Sequence, residues 1–200
     1  MGPRLGRERF DQARLINIAN ALTAIRILLL PFFAGFLISG RFRKGLLVFL
    51  VCGASDLLDG LLARLLRQRT VVGFYLDPIA DKLLMATAFV VLAYVRIVPT
   101  WFAVLVISRD LFILIGSALI LLLIGSEGIR PTRISKANTA TQVATVVYFL
   151  LIKAFPGLNG ILPPHAEPAL TRAIVSVCAA TTAVSGLQYM VTGLRKLSHA

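Results

Sequence analysis

The chain has 200 residues, 58% of them hydrophobic, and a formal net charge of +12, with a mean hydropathy of +0.84. That composition excludes an ordinary soluble domain and describes a polytopic membrane protein. The positive charge does not point to nucleic acid, since Lys and Arg fall mostly between apolar runs without interleaved aromatics, where membrane topology places them.

The charged start, MGPRLGRERFDQAR, leads into a long apolar run with no evident cleavage site, so it is expected to be retained rather than removed as a signal peptide. From about residue 9 to 20, Phe10, Ala13, Leu15 and Ile18 recur at near-helical spacing among charged residues. This predicts an amphipathic helix lying at the membrane surface. The first span follows at 21–39, opened by a polar stripe of Asn20, Thr23 and Arg26. A guanidinium inside an apolar run is costly. Arg26 is therefore expected either to face carboxylates or a diphosphate, or to snorkel to the interface.

A basic turn at 40–44 precedes the second span, 45–66. The third is expected to start near Asp77, with Pro78 in its first turn, where a missing N–H costs nothing. Pro99 opens a fourth span at 100–124, which contains Arg109 and Asp110. GSEGIRPTRISKANT reads as a polar break before the fifth span, 137–155. FPGLNGILPPHAEP reads as a loop, with His165 a loop residue rather than a ligand. The sixth span covers 169–192, ahead of a basic tail with Arg195 and Lys196. Cys52 and Cys178 sit in apolar runs and read as small core residues, not as a disulfide or a thiolate metal site. The fold expected is thus all-α: six transmembrane helices plus an interfacial N-terminal helix, in one domain.

The chemistry concentrates between Asp56 and Asp81, in DLLDGLLARLLRQRTVVGFYLDPIAD. Asp56 and Asp59 are three residues apart, and Asp77 and Asp81 four apart, spacings that put each pair on one face of a helix. An Asp at the centre of a membrane span costs about 2.5–3.5 kcal/mol. Four together need a counter-charge, and oxygen ligands suit a pair of divalent cations, Mg²⁺ or Mn²⁺. Gly60, Ala63 and Gly73 leave room for a ligand to approach the backbone. Arg64 offers a planar donor fork suited to phosphate. Metal, small residues and Arg together are chemistry for a diphosphate.

Written out, the pattern is D-x2-D-G-x2-A-R-x8-G-x3-D-x3-D, filled by Asp56, Asp59, Gly60, Ala63, Arg64, Gly73, Asp77 and Asp81. At all eight positions it resembles the motif of the CDP-alcohol phosphatidyltransferases, integral membrane enzymes of phospholipid synthesis. The resemblance implies CDP-diacylglycerol as donor and attack of an acceptor hydroxyl on its phosphatidyl phosphorus, with release of CMP. It also implies Asp56, Asp59 and Asp77 as metal ligands, with Asp81 a general base that also reaches metal. Asn20, Thr23, Arg26, Gly60, Ala63, Arg64 and Gly73 would contact the cytidine diphosphate. A homodimer is implied as well. A cation transporter or channel would also place Asp in spans, but gives no reason for the Gly, Ala and Arg offsets; a catalytically dead homologue would have no need of the complete motif.

Six spans put both termini on one side, together with the Asp stretch. Lys and Arg favour that side two to one, despite Arg41, Arg43 and Lys44 on the other. The active site is therefore expected to face the cytosol of a bacterial-type inner membrane. Acceptors in this family range from polyols to glycerol-3-phosphate and phosphatidylglycerol. A second polar group, Arg109, Asp110, Arg130, Arg133, Ser135, Lys136 and Thr139, offers four cations. From it, Arg109, Arg133, Lys136 and Thr139 are expected to bind an acceptor that carries phosphate. NIANALTAIRILLLPFF and GFYLDPIADKLL look like phosphatidylglycerophosphate synthases. ISKANTATQ looks closer to eukaryotic-type cardiolipin synthases, and Ser108-Arg109-Asp110 departs from the Arg-Glu common in the former. Glycerol-3-phosphate is the expected acceptor, phosphatidylglycerol the alternative.

Overall fold

The computed structural model describes residues 7–65, 71–124, 133–157 and 166–198, with side chains placed over 23–55, 79–117, 134–157 and 167–192. Among the described residues the chain forms six α-helices and no strand: α1 (Arg7–Ile38), α2 (Phe42–Leu65), α3 (Val71–Tyr94), α4 (Thr100–Ile124), α5 (Arg133–Ala154) and α6 (Ala166–Ser198). They fall into two compact units, Met1–Thr87 and Ala88–Ala200.

In the first unit, α1 is one unbroken helix through the expected boundary at residues 20–21, with Pro31 inside it. It ends in a glycine cap. Gly40 has φ 70°, its N–H donates to the Leu37 carbonyl at 3.0 Å, and the Arg41 N–H donates to Phe36 at 2.8 Å. This is the Schellman pattern, which satisfies carbonyls that the helix end leaves open. The turn returns the chain as α2. Leu30, Phe33 and Leu37 are buried on α1, and Leu46, Phe49 and Cys52 on α2. Phe33 and Phe49 lie 5.9 Å apart between ring centroids. A Cβ at Gly45 would run into Leu37, so the missing side chain sets how closely the two helices approach. Between helices in lipid, such close packing replaces the hydrophobic drive of a soluble core.

Three expected boundaries are corrected. α3 starts at Val71 rather than near Asp77, so Pro78 lies about two turns inside it. The run Val71 to Leu76 is apolar apart from Gly73 and extends the helix toward the connection. A proline inside a helix removes one internal hydrogen bond. α5 starts at Arg133, which makes the end of the expected polar break, including Ser135 and Lys136, its first turn. α6 starts at Ala166, with Glu167 in its first turn, so the end of the proline-rich loop is helical too. An acidic residue there complements the helix dipole. The tail with Arg195 and Lys196 continues as helix. His165, Arg130 and the centre of the loop lie outside the described residues.

In the second unit, α3 ends in the same kind of cap without a glycine. Arg96 has φ 59°, its N–H reaches the Ala93 carbonyl at 3.0 Å, and the Ile97 N–H reaches Leu92 at 2.9 Å. A side chain in the left-handed region is strained. Arg96→Gly is expected to stabilise the protein by about 0.5–1 kcal/mol, measured as a higher melting temperature in detergent. α4 then begins as expected behind Pro99, whose carbonyl accepts from Phe102 and Ala103. Phe89 and Phe102 pack edge to face, 5.5 Å between centroids and 85° between planes.

Among the described residues, two helices are long and apolar enough to cross a membrane, over Thr100–Ser117 and Glu167–Thr192, and only 22% and 28% of those residues are buried inside the protein. Core helices of a soluble protein would be mostly buried. Here Trp101, Val104, Leu111, Phe112 and Ile115 stand outward on α4, and Val177, Val184, Leu187 and Val191 on α6. Apolar stripes that face outward mark a surface that meets lipid or another protein. The described residues are all helical, and two of their helices are fit to span a membrane.

Candidate active site

The carboxylate motif divides between α2 and α3. Asp56, Asp59, Gly60, Ala63 and Arg64 lie on α2; Gly73, Asp77 and Asp81 lie on α3. At about 100° per residue, the α2 positions fall within an arc of about 140° and the α3 positions within about 80°. Each set therefore makes one stripe. Asp59 precedes the end of α2 by six residues, and Asp77 follows the start of α3 by six. Both lie about 9 Å along their helices from the shared connection. Of the four carboxylates, Asp81 has a described side chain, and it is part-buried beside part-buried Lys82. Asp56, Asp59 and Asp77 have helical backbones with side chains outside the described set. Among the described residues no group of three potential metal ligands occurs. The donor set still fits hard divalent cations by its chemistry: four carboxylates on two helical stripes at matched depth.

α1 packs against α2. Thr23 is fully buried and Arg26 is 3% exposed, on the stripe that continues through Leu30, Phe33 and Leu37. Arg26 does not extend to the surface. The register of α1 on α2 shows what comes next. Leu37 meets Gly45 and Phe33 meets Phe49, so each step back along α1 matches one forward along α2. Continued, that register sets Arg26 level with position 56 and Thr23 level with position 59. Asn20 lies a further turn along α1, its side chain outside the described set.

The second polar group is built differently from the sequence expectation. Arg109 of α4 is buried. It donates to Asp110 at 2.6 Å, to Ser135 of α5 at 2.9 Å and to Ser185 of α6 by a short hydrogen bond. One planar fork thus ties three helices. Lys136 is exposed. Thr139 is part-buried and donates to the Ser135 carbonyl at 3.2 Å. The Arg133 side chain is outside the described set.

Below Arg109 runs a polar seam that the sequence reading missed. The Asn138 carbonyl oxygen accepts from Thr182 at 2.9 Å and from Thr181 at 3.1 Å. Thr141 and Thr181 share a hydrogen bond at 3.0 Å. Gln142 is fully buried. The missed signal was periodic: Ser135, Asn138, Gln142 and Thr145 recur every three or four residues in α5, as do Cys178, Thr182 and Ser185 in α6. Small polar residues at that spacing hold membrane helices together.

These arrangements meet known proteins at one point. The family model for CDP-alcohol phosphatidyltransferase matches residues 16–185. The chain belongs to that family. The match takes in the carboxylate stripes, Arg26 and the polar seam. It is 30% identical over 93% of its length to a probable phosphatidylglycerophosphate synthase of Mycobacterium tuberculosis, covering 86% of that protein. It is 30% identical over 92% of its length to a probable cardiolipin synthase (CMP-forming) of Drosophila melanogaster, covering 62% of it. With a CDP-diacylglycerol–glycerol-3-phosphate 3-phosphatidyltransferase of Bacillus subtilis it shares 31% identity over 68% of its length, covering 78% of that protein. The chain thus spans less than two thirds of the length of the fly relative, and 86% and 78% of these two bacterial ones.

Proposed function

We propose that the chain transfers a phosphatidyl group from CDP-diacylglycerol to glycerol-3-phosphate, giving phosphatidylglycerophosphate and CMP. The observation that carries this reading is the pair of helical carboxylate stripes at equal depth, with buried Arg26 and Thr23 level with positions 56 and 59. Asp56, Asp59, Asp77 and Asp81 would hold two divalent cations, Mg²⁺ or Mn²⁺. Such cations, when bound, neutralise a diphosphate and stabilise charge that develops on its oxygens. Arg26, Arg64, Thr23 and Asn20 bind the cytidine diphosphate; Gly60, Ala63 and Gly73 leave it room. The acceptor hydroxyl oxygen forms the new bond to the phosphatidyl phosphorus, and the bond from that phosphorus to the CMP oxygen breaks. Asp81 takes the hydroxyl proton, a role that requires hydrogen-bond reach to that oxygen.

Membrane placement follows from the same reading. Six helices cross a bacterial-type inner membrane, and the carboxylates face the cytosol, so the acyl chains of the donor stay in lipid. α1 is 32 residues long, about 48 Å, well beyond a hydrocarbon core of about 30 Å. The excess at its N-terminus accommodates the interfacial segment. The enzyme works as a homodimer.

Glycerol-3-phosphate is preferred to phosphatidylglycerol as acceptor on the cations of the second polar group, Arg109, Arg130, Arg133 and Lys136, which suit an acceptor that carries phosphate. The second reading rests on the relatives named cardiolipin synthase, at 30% identity over 92% of the chain for the fly protein and 35% over 64% for a putative one of Mycobacterium tuberculosis. Paired assays with purified protein decide. CMP release driven by glycerol-3-phosphate is expected; release driven by phosphatidylglycerol alone would overturn the choice. Lys136 is exposed at the start of α5, and Lys136→Ala is expected to raise the acceptor KM about tenfold with little change for the donor, read from initial rates.

A further inference from the structure

Gln142 is 0% exposed, yet among the described residues neither its amide nitrogen nor its amide oxygen has a hydrogen-bond partner. The same holds for the Asn138 amide nitrogen and for Arg109 Nε. Burying an amide without a partner costs about 1–3 kcal/mol by mutational measures, and native interiors rarely tolerate it. Packing does not require an amide there: a methionine has nearly the same length and no such cost. The neighbours show that the seam can satisfy its members, since Asn138 Oδ1 takes two hydroxyl donors and Arg109 binds three partners. Gln142 stands one turn beyond Asn138 and about 14 Å along α5 from Arg133.

Taken together, the unsatisfied atoms are donors at Arg109, Asn138 and Gln142, and one acceptor at Gln142. A group that matches them offers oxygen acceptors and at least one O–H donor. A glycerol hydroxyl next to a phosphate does so; a diphosphate has no O–H to give the Gln142 oxygen at neutral pH. We infer that Gln142 is a specificity-determining residue, its amide holding the glycerol hydroxyl of the acceptor while Asn138 and Arg109 donate to the adjoining oxygens. This inference rests on the proposed transfer to a glycerol-bearing acceptor. The same glycerol chemistry occurs in glycerol-3-phosphate and in phosphatidylglycerol.

The test compares the full-length wild type with Gln142→Met, which keeps length and removes the polar atoms. If Gln142 serves the acceptor, Gln142→Met melts at or above the wild-type temperature, because an unsatisfied amide is gone. Its KM for the acceptor rises about tenfold or more, and its KM for CDP-diacylglycerol stays within about twofold. Running both arms, glycerol-3-phosphate and phosphatidylglycerol, shows which source supplies the glycerol. The melting temperature of the wild type should also rise when the effective acceptor is added without donor, and that rise should be lost in Gln142→Met. An unchanged acceptor KM in the folded variant overturns the role of Gln142, and so does a lower melting temperature, which would make the amide structural. Gln142→Glu, nearly the same shape, provides a second check: a carboxylate beside the acceptor phosphate should raise KM further, and no rise counts against the role. Absence of CMP release by the wild type with either acceptor is a different failure, that of the proposed transfer.

Discussion

Asp59→Asn is expected to abolish phosphatidyl transfer, with CMP release falling by at least about a thousandfold while the protein still inserts and purifies. The substitution keeps shape and hydrogen-bonding capacity but removes one negative charge. Position 59 is on the α2 stripe, one turn from Asp56, and the register of α1 sets it level with buried Thr23. If the stripe holds divalent cations, loss of one carboxylate weakens the charge balance on which diphosphate binding depends. The measurement is initial-rate CMP release at ordinary Mg²⁺ or Mn²⁺, alongside the elution profile in detergent. Activity within tenfold of wild type would remove Asp59 from the ligand set.

The second large effect is on stability. Arg109→Ala should destabilise the protein by about 3–5 kcal/mol. Three helices lose their common donor at once: Asp110 loses a cation at 2.6 Å, and Ser135 and Ser185 lose the group that links α5 to α6. Arg109→Lys keeps the charge but has a single ammonium where three partners need a fork, so it should recover only part of the loss. Thermal melting in detergent reads both variants. A melting temperature unchanged in Arg109→Ala would mean that the junction contributes nothing measurable. Gly186, where an added Cβ would lie 3.5 Å from Arg109 Cγ, leaves the room in which the guanidinium stem packs.

Much of this was legible from the sequence because it depends on local pattern. Apolar runs of span length located the helices, and the four Asp positions appeared as two helix-spaced pairs. The position of Pro99 ahead of α4 followed from its missing N–H. What failed to show was set by tertiary context. Pro78 suggested a helix start, but Val71 to Leu76 is apolar enough to carry the helix past it. Arg96 gave no sign of a cap because its sequence lacks the glycine that normally marks one. The bonds of Arg109 to Ser135 and Ser185 depend on residues 26 and 76 positions away. Asn138 and Gln142 were not singled out by the sequence. Their interest comes from complete burial, which no local pattern states.

The most direct measurement is CMP release by the purified chain in lipid–detergent micelles containing CDP-diacylglycerol and glycerol-3-phosphate, with and without chelator. The account predicts one CMP for each phosphatidylglycerophosphate formed, a requirement for Mg²⁺ or Mn²⁺, and no release once the divalent cation is chelated. Release that persists in chelator, or cation flux through proteoliposomes without any CMP, would contradict it.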